Sequence, residues 1–146
     1  MSLRLRAVHT QLVHTHLCRA YPEEGCGVLV GRDEGERRVV EQVVALDNRR
    51  EDARATRYLI SPEQLLQVER EAREQDLDVL GFFHSHPDHP ARPSAFDLDH
   101  AWPYYSYLIV SVVQGRVAET AAWRLAQDRT RFEPETIEQA PAAVSP

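Results

Sequence analysis

Val79-Leu80-Gly81-Phe82-Phe83-His84-Ser85-His86-Pro87 runs from a short apolar stretch directly into two histidines two positions apart. The apolar part reads as a buried strand. Alternate side chains on a strand project to the same side, so His84 and His86 can reach one ion. A second H-x-H, His14-Thr15-His16, serves as a control. It lies between Ala7 and Ala20, where Val8, Leu12, Val13, Leu17 and Ala20 recur near helical spacing. On a helix, residues two apart point about 200° away from each other. His14 and His16 therefore read as partly exposed helix residues and not as a joint site.

Ser94-Ala95-Phe96-Asp97 follows the histidines closely. A serine at the N-cap with an acid three residues later resembles a capping box. The first turn of a helix is also a rigid mount for a carboxylate. Two imidazoles and one carboxylate supply the three protein ligands of a catalytic zinc and leave a fourth position to water. The His84, His86 and Asp97 set favours one Zn²⁺ over harder metals.

Reading outward, the helix over 7–20 stops at Pro22. Val28-Leu29-Val30 and Val39 to Leu46 read as a hairpin, and Tyr58-Leu59-Ile60 as a short strand. Asp47 to Arg57 is dense in charge and reads as a surface loop. Ser61, Pro62 and Gln64 open a helix with a capping box, whose apolar face is Leu65, Val68 and Ala72. Ser106 to Val113 reads as a central strand, Val117 to Leu125 as its hairpin partner, and Thr130 to Glu133 as a last short strand. The expectation is a single α/β domain over 1–136, a central mixed β-sheet flanked by helices, with 137–146 as a flexible tail.

Composition sets the outer limits. One domain is the expectation for 146 residues. A net charge of −6 argues against a dedicated nucleic-acid binder. All 17 basic residues are arginine, so the chain offers no lysine for conjugation. Cys18 and Cys26 form no C-x-x-C, and a reducing cytoplasm is the expected compartment. The first residues carry no signal-peptide pattern, and no apolar run is long enough to span a membrane.

A hydrolytic metal site also needs a carboxylate beside the ion that does not ligate it. Glu23 and Glu24, in Tyr21-Pro22-Glu23-Glu24-Gly25-Cys26-Gly27, are the candidates. They follow a proline stop and precede a strand rich in small residues.

Together these residues resemble the JAMM (MPN+) metalloprotease family. Its pattern is an upstream glutamate, then H-[S/T]-H-P, then S-x-x-D after a seven-residue gap, here Pro87 to Pro93. Glu24-Gly25-Cys26-Gly27 is similar to the glutamate context of the compact bacterial members, which selects Glu24 over Glu23. The resemblance spans about Ala7 to Phe132. It implies an MPN-like (cytidine-deaminase-like) fold, with His84, His86 and Asp97 as zinc ligands. It implies Glu24 as the general base for the metal's water and Ser94 as a donor to the oxyanion. The substrate it implies is a peptide or isopeptide bond at the C-terminal glycine of a ubiquitin-fold protein. Compact relatives point to a sulfur-carrier protein, from which cysteine is released during cysteine biosynthesis. Oligomeric state stays open, with a homodimer among the options.

Other residues keep alternative readings. Cys26 is either a thiol nucleophile or a small buried core residue. His89 and His100 read as loop and helix surface. Trp102, Tyr104 and Tyr105 suit a substrate groove or a core equally. A nucleobase deaminase would need H-x-E and P-C-x-x-C, which are absent. A non-catalytic MPN-type scaffold remains the alternative function, and metal content separates it from an enzyme.

Overall fold

Alternation of Leu3 and Leu5 with Arg4 and Arg6 makes the first strand, β1 (Ser2–Arg6), in which both leucines are buried. In the computed structural model, which describes residues 1–141, α1 (Ala7–Ala20) follows without a turn. Then come β2 (Cys26–Asp33), β3 (Arg37–Leu46), α2 (Pro62–Glu74) and β4 (Asp78–Pro87). The chain continues with α3 (Ala95–His100), β5 (Ser106–Val113), β6 (Arg116–Leu125) and β7 (Phe132–Ala140). No helix among the described residues is long and apolar enough to cross a membrane.

The strands form a closed barrel in the order β1-β3-β2-β4-β5-β6-β7. The expected central mixed β-sheet flanked by helices, the MPN-like (cytidine-deaminase-like) α/β layout, is corrected by this closure. Two features bring it about. β1, read from sequence only as a stretch without a targeting signal, pairs in parallel with both β3 and β7. β7 begins within the expected last strand and runs on to Ala140, its residues 137–140 pairing with β1. Residues 142–146 of the expected tail lie outside the described residues. Tyr58-Leu59-Ile60, expected as a strand, is irregular.

Two apolar clusters lie on opposite faces of the strands, as period-two alternation requires. In one, α1 places Val13 and Leu17 against Leu3, Leu5, Leu29, Leu80, Phe83 and Val110. Val8 and Leu12 of the same helix stay exposed, so only part of its apolar periodicity is used. In the other, Val68 and Ala72 of α2 meet Val28, Val30, Phe82 and Tyr107. The capping box of Ser61 and Gln64 forms as expected and fixes where α2 starts.

The register of two central strands positions the site. β2 runs antiparallel to β4, with Cys26 opposite His84. Residues just before β2 therefore lie beside residues just after His84. That register brings Glu24 next to the histidines, although sixty positions separate it from His84.

Candidate metal centre and active site

His84 and His86 lie on β4 and are almost fully buried, at 1% and 7% exposure. Their Nε2 atoms face each other at 3.2 Å. Asp97, in the first turn of α3, sets Oδ1 at 3.3 Å from His84 Nε2 and Oδ2 at 3.0 Å from His86 Nε2. Ligands at about 2.0–2.1 Å from a tetrahedral zinc stand about 3.3–3.4 Å apart. The 3.2 Å between the two Nε2 atoms is close to that spacing, and each carboxylate oxygen of Asp97 lies near a different histidine. Donor chemistry agrees: two imidazole nitrogens and one carboxylate converge on one point.

Hydrogen bonds orient this set. His86 Nδ1 donates to the Pro90 carbonyl at 2.8 Å, which leaves Nε2 with its lone pair directed inward. The loop carrying Pro90 is held in turn. Ser111 Oγ donates to the His89 carbonyl at 2.6 Å, and Ala91 N–H to Glu119 at 3.1 Å. His84 is held by packing, its ring stacked on Tyr58 at 4.6 Å. His84 Nδ1 is buried without a partner among the described residues.

Ser94 and Asp97 form the expected capping box, and Asp97 also faces the histidines. Ser94 Oγ accepts the Asp97 N–H at 3.0 Å, and Asp97 Oδ2 accepts the Ser94 N–H at 2.9 Å. The carboxylate that caps the helix is thus the one that faces the histidines. Burial alone would raise the Asp97 carboxyl, but the His84 and His86 rings and the Ser94 N–H outweigh it. The net effect holds Asp97 well below the usual carboxylate range, ready to ligate as an anion. Burial lowers His84 below its ordinary value, with Asp97 opposing, which favours the neutral, ligating ring. For His86 burial also lowers, but Asp97 and the Pro90 carbonyl prevail and raise it.

Glu24 is 5% exposed, whereas Glu23 is in solvent. Burial pushes the Glu24 carboxyl up to about 8; His86 pulls it down and Asp97 pushes it further up. A buried carboxyl facing His86 and Asp97 stands where a general base would serve water on a bound ion. Its backbone is clamped from two sides. Gly25 N–H donates to Ser85 Oγ at 2.9 Å, and Ser85 N–H returns a bond to the Gly25 carbonyl at 3.1 Å. Asn48 Nδ2 donates to the Glu24 carbonyl and to the Arg57 carbonyl, both at 3.0 Å. Asn48 Oδ1 accepts from the N–H groups of Arg50 and Leu59, also at 3.0 Å. Ser85, Asn48 and Tyr58 are contributors that sequence reasoning missed. Ser85 at least lies inside the H-S-H-P motif; Asn48 gives no sequence signal.

The remaining candidates fall away from the centre. His14 bonds Thr120 Oγ1 at 2.9 Å, and His16 contacts the carbonyls of Cys26 and Leu46. His89 and His100 are exposed. Cys26 is buried and its thiol is pushed up to about 12, first by burial and then by Glu24 and Asp47. A thiol so protonated makes a poor nucleophile. Tyr105 packs edge-on to Phe82 at 5.1 Å and belongs to the core, whereas Trp102 is exposed and lines a cavity beside His84 and Asp97. Tyr104 is exposed and does not reach that cavity.

Comparison with known proteins identifies the family. A family model described as prokaryotic homologs of the JAB domain matches residues 6–126. The "Desampylase" of Haloferax volcanii is 36% identical over 91 residues, covering 62% of this chain and 63% of its own length. The Thermus thermophilus "Probable TtuB-protein conjugate cleaving protease" is 37% identical over 94 residues, covering 64% and 60%. This chain thus spans less than two thirds of the length of those two relatives. Among solved structures, a Desulfitobacterium hafniense protein aligns with a TM-score of 0.82 at 32% identity, covering 96% of this chain and 93% of its own. A Salinibacter ruber protein aligns with a TM-score of 0.72 at 41% identity, covering 98% and 94%. The matched region contains Glu24, the H-S-H-P strand and Asp97 alike, and by it the chain belongs to the prokaryotic homologs of the JAB domain.

Proposed function

We propose that this chain is a zinc-dependent peptidase that cleaves conjugates of ubiquitin-fold proteins at the carrier's C-terminal glycine. The observation that carries the reading is Glu24: a carboxyl buried beside a three-donor metal set and outside that set. The names of the Haloferax and Thermus relatives support a conjugate as substrate.

His84, His86 and Asp97 would hold the ion. When bound, zinc supplies a Lewis acid for the scissile carbonyl and lowers the pKa of water to about 7. Glu24 takes the proton from the attacking water and passes it to the departing amine. A positioned acid–base contributes about 10²–10⁴ in rate. Ser94 Oγ is engaged as an acceptor by the Asp97 N–H, so its own O–H proton is free to donate to the developing oxyanion. Loss of such a donor costs about 10²–10³ in comparable sites.

The test is cleavage of a ubiquitin-fold conjugate with and without chelator, with Glu24→Gln as control. Chelator-insensitive cleavage, or near wild-type turnover by Glu24→Gln, would overturn the mechanism. A carrier bearing a C-terminal Gly-Cys adduct tests the narrower cysteine-release reading by intact mass. Zinc content distinguishes the scaffold alternative, since a scaffold would purify without metal.

A further inference from the structure

A cavity of about 330 Å³ opens beside His84 and Asp97. Ile60, Leu65, Phe82, Tyr107 and Phe132 form much of its wall, which is overwhelmingly apolar. The glycine that adjoins the scissile bond has no side chain that would fill it. Arg50 also lines it. Arg50 Nε donates to Asp52 at 3.0 Å, and its two terminal nitrogens have no partner among the described residues. The guanidinium lies 5.5 Å over the Phe96 ring, and Arg57 lies 4.4 Å over the same ring. Asp97 is the single acidic residue of the lining, and it is committed to the histidines. The cavity is therefore apolar along its wall, cationic at Arg50 and contiguous with the metal ligands. A planar guanidinium with a free terminal pair suits a carboxylate.

We propose that this cavity is the subsite for the residue released from the conjugate. It takes a bulky apolar or aromatic amino acid, whose side chain fills the wall and whose free carboxylate pairs with Arg50. This rests on the peptidase reading and narrows it to release of a C-terminal residue. In that reaction the carrier's glycyl C–N bond breaks. Water gives its hydroxyl to the acyl carbon and its proton to the departing amine.

Binding tests the proposal independently of turnover. Zinc-loaded Glu24→Gln protein is titrated calorimetrically with acetyl-Gly-Phe, acetyl-Gly-Ala and acetyl-Gly-Phe-amide. The expected result is at least tenfold tighter binding of acetyl-Gly-Phe than of either other peptide. Arg50→Ala should abolish the preference for the free carboxylate. Ile60→Trp, which fills the cavity from an irregular segment, should abolish the preference for Phe over Ala. Equal binding of all three peptides, or none, overturns the subsite. Wild-type enzyme is then given carriers ending in Gly-Phe and Gly-Ala. Cleavage of both at equal rates overturns the subsite and leaves the peptidase standing. Selective peptide binding with no cleavage of either carrier overturns the release of a C-terminal residue, and chelator-sensitive cleavage of a protein conjugate then leaves the peptidase standing.

Discussion

Gly25 and Ser85 hold each other twice, through the Gly25 N–H to Ser85 Oγ at 2.9 Å and the Ser85 N–H to the Gly25 carbonyl at 3.1 Å. One residue follows Glu24 directly; the other lies between His84 and His86. The pair ties the segment that carries the proposed base to the strand that carries two of the proposed metal ligands.

Ser85→Ala should remove one of these bonds and orphan a buried N–H, at a cost of about 1–3 kcal/mol. His84, His86 and Asp97 are untouched, so zinc content should stay near one ion per chain. Turnover should fall by up to about 10², the scale on which small misplacements act. Metal analysis beside steady-state kinetics checks this; loss of zinc in step with activity would make Ser85 a support of the ligands instead.

Glu24 should give the metal-free protein a pH-dependent stability. Its folded value, about 8, stands above the ordinary 4.5. Between those values the folded state keeps a proton that the unfolded chain releases. The contribution to stability is complete below about pH 4.5 and is lost as pH rises towards 8. Glu24→Gln is neutral throughout. Urea unfolding of both metal-free proteins should give similar midpoints at pH 5 and a higher midpoint for the variant at pH 8.5. A constant difference across pH would contradict the burial effect. Zinc loading should flatten the slope, because a nearby cation favours the charged carboxylate.

Asp97→Asn separates ligand from cap. The remaining amide oxygen can still accept the Ser94 N–H, so α3 should keep its start. The anionic donor is gone, and zinc affinity should drop by well over the 10–100-fold typical of losing an outer-shell partner. His84→Ala should lose the metal as well. Zinc retained after dialysis is the readout, and unaltered occupancy in either variant would remove that residue from the ligand set.

How far the site could be read from sequence depended on whether its geometry is local. His84 and His86 follow from strand alternation, and Asp97 from helix capping, so the grouping of these three side chains was legible. Glu24 depends on the β2–β4 register and was reached through family resemblance. The barrel was not legible. β1 alternates over only five residues, Ser2–Arg6. β7 is polar, and it buries Glu135 because Arg124 neutralises that acid at 2.6 Å. Hydrophobic periodicity does not encode an ion pair. Asn48 works through four bonds to main-chain groups, whose placement only the folded loop creates.

Asn48→Asp should expose that dependence. It preserves both acceptor bonds, from Arg50 and Leu59, and loses both donor bonds, to Glu24 and Arg57. The expected outcome is about a tenfold fall in kcat with a smaller change in KM, since placement of the base is affected more than binding. Zinc stoichiometry should stay unchanged. A rise in KM with kcat intact would assign Asn48 to the substrate side.

β1 sits between β3 and β7, and both of its strand pairings join parts of the chain distant in sequence. During synthesis the β2–β3 hairpin and β4 are complete long before β7 leaves the ribosome. The nascent protein can therefore bring Glu24 to its histidines while one seam of the barrel is still unzipped. Until β7 arrives, that seam displays unpaired backbone that a neighbouring chain could capture. Chain order thus lets the elements of the proposed site meet early, while the pairings that close the barrel wait for the last strand.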